Sequence, residues 1–180
     1  MKKVPVIVSA LLFCFSILTH GQEKIKIKDD KMKVKGSGMN SPLYTAAYSS
    51  DYSMGDKKYS DIILTLWKDY DNNTLMAHDF FADTVTVMMA DGNIVHGKQQ
   101  MGQAIGGFRN SLKSVSSTVH AWVPLHSNDL KTDLVCIWGS ETDTYPDGHI
   151  SVHELHEVWF FNKDGKISLM RQWEAKGPTM

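Results

Sequence analysis

Apolar positions recur at two different spacings along this chain, three-and-four in its middle third and every second residue after it. Tyr59, Ile62, Ile63, Leu66, Trp67 and Tyr70 fall at i, i+3, i+4, i+7, i+8 and i+11. That spacing draws one apolar stripe on a helix. Asp56 or Ser60 can cap its start, and Asp71-Asn72-Asn73 ends it. Asn73 or Thr74 opens a short second helix through Leu75, Met76 and His78, closed by Phe80-Phe81-Ala82-Asp83. Met101, Ala104, Ile105, Phe108 and Leu112 repeat the helical spacing in a third. Gly106-Gly107 weakens that helix by about 1 kcal/mol per glycine, which suggests a close approach to a sheet. Thr84 to Met89 is β-branched and predicts a strand, turned at Asp91-Gly92-Asn93 into Ile94-Val95-His96. Three long strands follow, Val115 to Leu125, Leu134 to Thr144 and Ile150 to Phe161. Asp164-Gly165-Lys166 turns the chain into a last strand, Ile167 to Trp173. Helices first and a long antiparallel meander after them predict an α+β domain.

The ends change this picture. Lys2-Lys3, an apolar run from Val4 to Leu18, and Thr19-His20-Gly21 form the n-region, h-region and cleavage site of a signal peptide. The run is shorter than the ~20 residues of a membrane-spanning helix. The expectation is export to the periplasm or beyond, with residues 1–21 removed and no stable membrane anchor left. Cys14 lies inside the run after Phe13, where lipidation asks for a small residue. Residues 22–56 alternate apolar residues with lysine and then turn glycine- and serine-rich, as in a flexible leader. The domain proper is then 57–176. Of the 19 lysines and arginines, Lys2 and Lys3 leave with the signal, against 20 acidic residues that stay. No basic excess remains to suggest nucleic acid. Cys136 is left alone in Leu134-Val135-Cys136-Ile137-Trp138, so no internal disulfide forms and the thiol reads as buried and inert.

His149, His153, Glu154, His156 and Glu157 crowd one segment. They do not make a zinc motif, since Glu157 stands where His153-Glu154 would need a second histidine. On a strand, His149 and His153 stand roughly 13 Å apart, too far for one ion. Only Glu154 and His156 share a face at ligating spacing, and no metal is assigned. No phosphate-binding loop or nucleophile elbow is present, and no cofactor is called for.

Leu66-Trp67 in the first helix, Phe81-Ala82-Asp83-Thr84-Val85 at the first strand, Asp91-Gly92 followed by His96-Gly97-Lys98, and Phe161-Asn162-Lys163-Asp164-Gly165-Lys166-Ile167 occur in order. In these the chain resembles the nuclear transport factor 2-like superfamily, in particular its SnoaL-like branch, over about Tyr59 to Glu174. The resemblance implies a cone-shaped, strongly curved antiparallel sheet wrapped around three N-terminal helices, a cystatin-like roll with a pocket at its wide end. The superfamily holds isomerases, dehydratases, cyclases, an epoxide hydrolase and proteins with no known reaction, so function must come from the site. Compared with ketosteroid isomerase, the general-base position falls at about Met89, and the oxyanion tyrosine near Thr65 or Leu66. The third group, a protonated carboxyl, falls near Glu157. Asp91 lies close to the missing base, but the Asp91-Gly92 turn explains it.

With Glu157 inward, alternation brings His153, Leu155 and Trp159 inward too. The resemblance points Met170, Gln172 and Glu174 the same way. His120 with Trp122, and Trp138 with Ser140, share faces of their strands. The expected pocket is therefore lined by Trp67, Met89, Trp122, Trp138, Trp159, Met170 and Gln172, with Glu157 and His120 or His153 as an acid/base pair. Aromatic walls with few polar groups suit a small hydrophobic molecule. Three functions follow: an exported binder of such a molecule, an isomerase, lyase or cyclase using the His–Glu pair, and a non-catalytic module that forms a homodimer.

Overall fold

The computed structural model describes residues 43–46 and 48–177. The chain divides into two units, Met1–Lys35 and Gly36–Met180, and the described residues all belong to the second. The expected signal segment and most of the expected leader lie outside the described residues. Among the described residues no helix is long and apolar enough to cross a membrane.

Two helices and seven strands follow one another as β1 (Tyr52–Met54), α1 (Lys57–Asp71), β2 (Phe81–Met88), β3 (Ile94–His96), α2 (Lys98–Ser111), β4 (Ser114–Ser127), β5 (Thr132–Thr144), β6 (Ile150–Phe161) and β7 (Ile167–Lys176). The sheet order is β1-β4-β5-β6-β7-β2-β3. This is α+β, as the alternation predicted. The sheet is not wholly antiparallel, however: β7 runs parallel to β2, with Val87 opposite Met170. Helix α2 is the reason. It carries the chain away from the β2–β3 hairpin, so the meander β4–β7 enters without a hairpin fixing its direction. The sheet also begins before residue 57, because Tyr52–Met54, inside the expected leader, pairs with Leu125–Ser127.

Asp56 caps α1 by accepting from the Lys58 amide at 2.9 Å. The helix ends at Asn72 and Asn73, the latter in the left-handed region at φ 60°. The expected second helix does not form. The Thr74 amide and hydroxyl both fold back on the Asp69 carbonyl, at 2.7 and 3.2 Å. His78 Nδ1 meets the Asp69 carboxylate at 2.7 Å. These bonds tie Leu75–His78 to the end of α1 as a turn and leave Phe81 free to open β2. Arg109 of α2 is buried against the same helix end. Its Nε and Nη2 donate to the carbonyls of Tyr70 and Asp71 at 2.8 and 2.7 Å. A cation there adds to the Asn73 amide that already donates to the Tyr70 carbonyl at 3.0 Å, supplies a donor to Asp71, and answers the negative end of the helix dipole. Gly106 and Gly107 do not mark the expected close approach, since a Cβ at either position would meet nothing within 4 Å.

The core lies between the two helices and one face of the sheet. Ile63, Leu66, Met101, Val85, Val87, Val135, Ile137 and Ile167 are its most completely buried apolar side chains. On β5 these are odd-numbered positions, and the pairing Ile137 with Glu157 and Glu157 with Gln172 carries the same face across β6 and β7. The remaining polar side chains on that face are therefore held under the helices.

Candidate functional site

A cavity of about 610 Å³ opens between α1, α2 and this inner face. That is the size of a pocket for a small organic molecule. Its wall is mainly apolar, from Leu66, Trp67, Phe81, Val87, Met101 and Trp159 among others. Two polar groupings interrupt it.

The first is centred on Glu157, which is 5% exposed. Trp67 Nε1 and Trp159 Nε1 both donate to its Oε2, at 2.8 and 3.0 Å. Gln172 Nε2 donates to its Oε1 at 3.0 Å. Burial pushes the Glu157 pKa up, and the three donors pull the other way without cancelling it. Trp67 reaches this carboxyl because β5 has glycine beneath its ring. A Cβ on Gly139 would lie 2.6 Å from the Trp67 ring and 2.5 Å from the Thr118 carbonyl oxygen.

The second grouping lies two pleats along the strands. Glu141 stands opposite His153, and Leu155 opposite Glu174. His153 sits between two acids, with Nδ1 2.6 Å from Glu174 Oε1 and Nε2 3.7 Å from Asp143 Oδ2. Asp143 is 1% exposed, and its Oδ1 is buried without a hydrogen-bond partner. Burial, then the charges of Asp143 and Glu157, push the Glu141 pKa up to about 9. Burial raises Asp143 as well, opposed by His153, by the hydrogen bond to Glu141 and by Arg109. The pair thus holds a proton at neutral pH. Tyr70 on α1 faces the same acids, and burial and their charges push its phenol far above its ordinary pKa.

Of the residues expected in the pocket, Trp67, Met89, Trp159, Met170 and Gln172 line the cavity, together with Glu157 and His153. Met89 stands in the wall where a base would have been needed. Asp91 also reaches the rim, but both its oxygens are taken, by the Asn93 amide at 2.9 Å and its side chain at 2.7 Å. Trp122 and Trp138 do not line the cavity. They are 49% and 37% exposed, and Trp138 stacks on His156, which stacks on Trp173, across the outer face. His120 is on that outer face too, 3.8 Å from Glu154 and far from Glu157. Four strand positions separate His153 from Glu157, roughly 13 Å, so the expected acid/base pair is not assembled. The sequence missed Glu141 and Asp143. They share odd numbering with buried Val135 and Ile137, and that parity was the available signal; the even-numbered Trp138 and Ser140 drew attention instead. Cys136 is half-buried, and burial raises its pKa as for an inert thiol. Among the described residues no three His, Cys, Asp or Glu side chains converge as metal ligands.

No family model and no curated protein matches the sequence. Solved structures do match the fold. An NTF2-like protein of unknown function from Burkholderia pseudomallei is 12% identical, covering 66% of this chain and 90% of its own, with a TM-score of 0.53. A SnoaL-like protein of unknown function from Burkholderia thailandensis is 12% identical over 68% of this chain and 99% of its own, at 0.51. The epoxide hydrolase/cyclase-like enzyme SalBIII, described in pyran ring formation in the polyether salinomycin, is 15% identical over 66% and 92%, at 0.53. The chain therefore shares the nuclear transport factor 2-like fold with these SnoaL-like and cyclase-like structures, and at such identities the likeness is one of fold.

Proposed function

We propose that this chain is an exported protein that binds a small, mostly apolar organic molecule in the cavity beneath its two helices. One observation carries the proposal: a mainly apolar cavity of about 610 Å³ whose polar groups gather around Glu157 and around Glu141 and Asp143, with Asp91 and Asn93 at the rim. Glu157 is locked by three donors, so it shapes the pocket and holds Trp67 and Trp159 in position. Export is inferred from the basic, apolar and small-residue pattern of residues 1–21, and it confines the ligand to molecules found outside the cytoplasm. Native mass spectrometry of the chain purified from its own host tests the binding proposal. The expected result is a retained small molecule that leaves on unfolding. Loss of that molecule in Ala104→Trp, which places an indole at the cavity wall from an exposed helix position, locates it. A chain that carries nothing and takes up no apolar probe overturns the proposal.

A second reading is an acid/base enzyme of the isomerase, lyase or cyclase kind. Its support is a neutral carboxyl at Glu141 beside Asp143 and His153, a proton donor next to a proton acceptor. On this reading the retained molecule is turned over, and Glu141→Gln keeps binding while losing turnover.

A further inference from the structure

The polar groups on the cavity wall are one-sided in charge. Asp91, Glu141, Asp143, Glu157 and Glu174 line it, and among the described residues no lysine or arginine does. Three of these acids are already engaged, Asp91 by Asn93, Glu157 by its three donors and Glu174 by His153 at 2.6 Å. The nearest buried cation, Arg109, gives its hydrogen bonds to the carbonyls of Tyr70, Asp71 and Leu112. Asp143 is only partly engaged. His153 Nε2 stands 3.7 Å from its Oδ2 and Glu141 shares a hydrogen bond with its side chain, but it lines the cavity, it is 1% exposed, and its Oδ1 accepts no hydrogen bond. A buried acceptor left unpaired is destabilising, so a ligand that supplies a donor there gains what the protein alone forgoes.

We propose that the cavity's ligand is an amphiphilic amine, its protonated amino group donating to Asp143 Oδ1 between Glu141 and Glu174 and its apolar body lying along Leu155, Trp67 and Phe81. This rests on reading the cavity as a ligand site and names the class of ligand. An ammonium group brings the missing charge and up to three N–H donors. A carboxylate or phosphate ligand would meet like charges. A neutral ligand would leave Oδ1 without a charged partner. A metal ion lacks a converging ligand set here.

The groups facing this end are Tyr70 and Asp71 from α1, Arg109 from α2, Ser117 from β4, Glu141 and Asp143 from β5, His153 and Glu157 from β6, and Glu174 from β7. An arriving cation favours the ionised form of Glu141. Amine binding near pH 7 therefore releases a proton from the Glu141–Asp143 pair to the buffer.

Isothermal titration of the full chain with n-octylamine, 1-octanol and sodium octanoate, each below its aggregation concentration, tests this. The expected result is octylamine bound at least tenfold tighter than octanol, with octanoate weakest. In two buffers of different ionisation enthalpy, the octylamine heat shows proton release and the octanol heat does not. Asp143→Asn is expected to bring octylamine to the affinity of octanol while octanol binding persists, which also shows that the variant is folded. Equal affinity of the wild-type chain for octylamine and octanol overturns the amine inference and leaves the binding proposal standing. Failure of all three probes overturns both. Should Asp143→Asn fail to fold, the wild-type comparison of amine, alcohol and carboxylate decides alone.

Discussion

Replacing Glu141 by glutamine keeps the side chain's volume and removes its titration. In the unfolded chain this carboxyl ionises near 4.5, and in the folded protein near 9. Between those values the folded state holds one proton more than the unfolded state, so stability falls as pH rises through the window. The slope is about 1.4 kcal/mol per pH unit, which puts the cost near 3 kcal/mol at pH 7. Glutamine does not pay it, and its amide still donates to Asp143 as the neutral carboxyl does. Glu141→Gln is therefore expected to match the wild type near pH 4.5 and to exceed it by up to about 3 kcal/mol at pH 7. For a domain of this size that is a rise in Tm of roughly 6–12 °C. Urea unfolding followed by tryptophan fluorescence, repeated from pH 4.5 to 9 on both proteins, measures the difference. A difference that stays constant with pH, or a variant less stable than wild type at pH 7, would refute the reasoning.

Glu157→Leu strands three donors, the indoles of Trp67 and Trp159 and the Gln172 amide, and is expected to cost at least about 3 kcal/mol in chemical denaturation. Glu157→Gln keeps an acceptor for both indoles, and rotation of the Gln172 amide re-pairs the rest, so a loss under about 1.5 kcal/mol is expected; equal losses for the two variants contradict the hydrogen-bond account. Gly139→Ala drives a methyl into the Thr118 carbonyl and the Trp67 ring, with an expected cost of about 1–3 kcal/mol and a changed Trp67 emission. Arg109→Met takes the side-chain donor from the Asp71 carbonyl and leaves the Tyr70 carbonyl with the Asn73 amide at the end of α1; a loss of about 1–3 kcal/mol is expected in thermal melts. The exposed indoles of Trp138 and Trp173 on the outer sheet face are the expected contact of a homodimer, and Trp138→Lys then shifts the sedimentation mass to that of the monomer.

Most elements were legible because local patterning is strong in them. The apolar stripe from Tyr59 to Tyr70 became α1, and the turns at Asp91-Gly92 and Asp164-Gly165 hold glycines at φ 89° and 72°. Leu75–His78 carried helical spacing yet became a turn, because the bonds from Thr74 and His78 to Asp69 are tertiary and leave no trace in periodicity. Parallel pairing of β2 with β7 was likewise invisible, since strand direction after α2 is set by the path of the helix. Within the site, alternation along β6 pointed to His153 and Glu157 and the resemblance pointed to Met170 and Gln172 on β7, and all four line the cavity. Parity on β4 and β5 was harder. Both faces of β5 carry large apolar groups, Ile137 inward and Trp138 outward, so hydrophobicity alone did not tell them apart. A bulge between Val119 and Ala121 further shifts β4 against β5.

The five tryptophans report on the central claim independently of one another. Trp67 and Trp159 line the cavity, while Trp122, Trp138 and Trp173 are exposed. Two-dimensional ¹⁵N NMR of the indole N–H groups during titration with 1-octanol separates the two sets. The account predicts saturable shifts for Trp67 and Trp159, whose N–H groups point at Glu157, and unmoved signals for the other three. Shifts confined to the exposed indoles, or all five moving together without saturation, would contradict it.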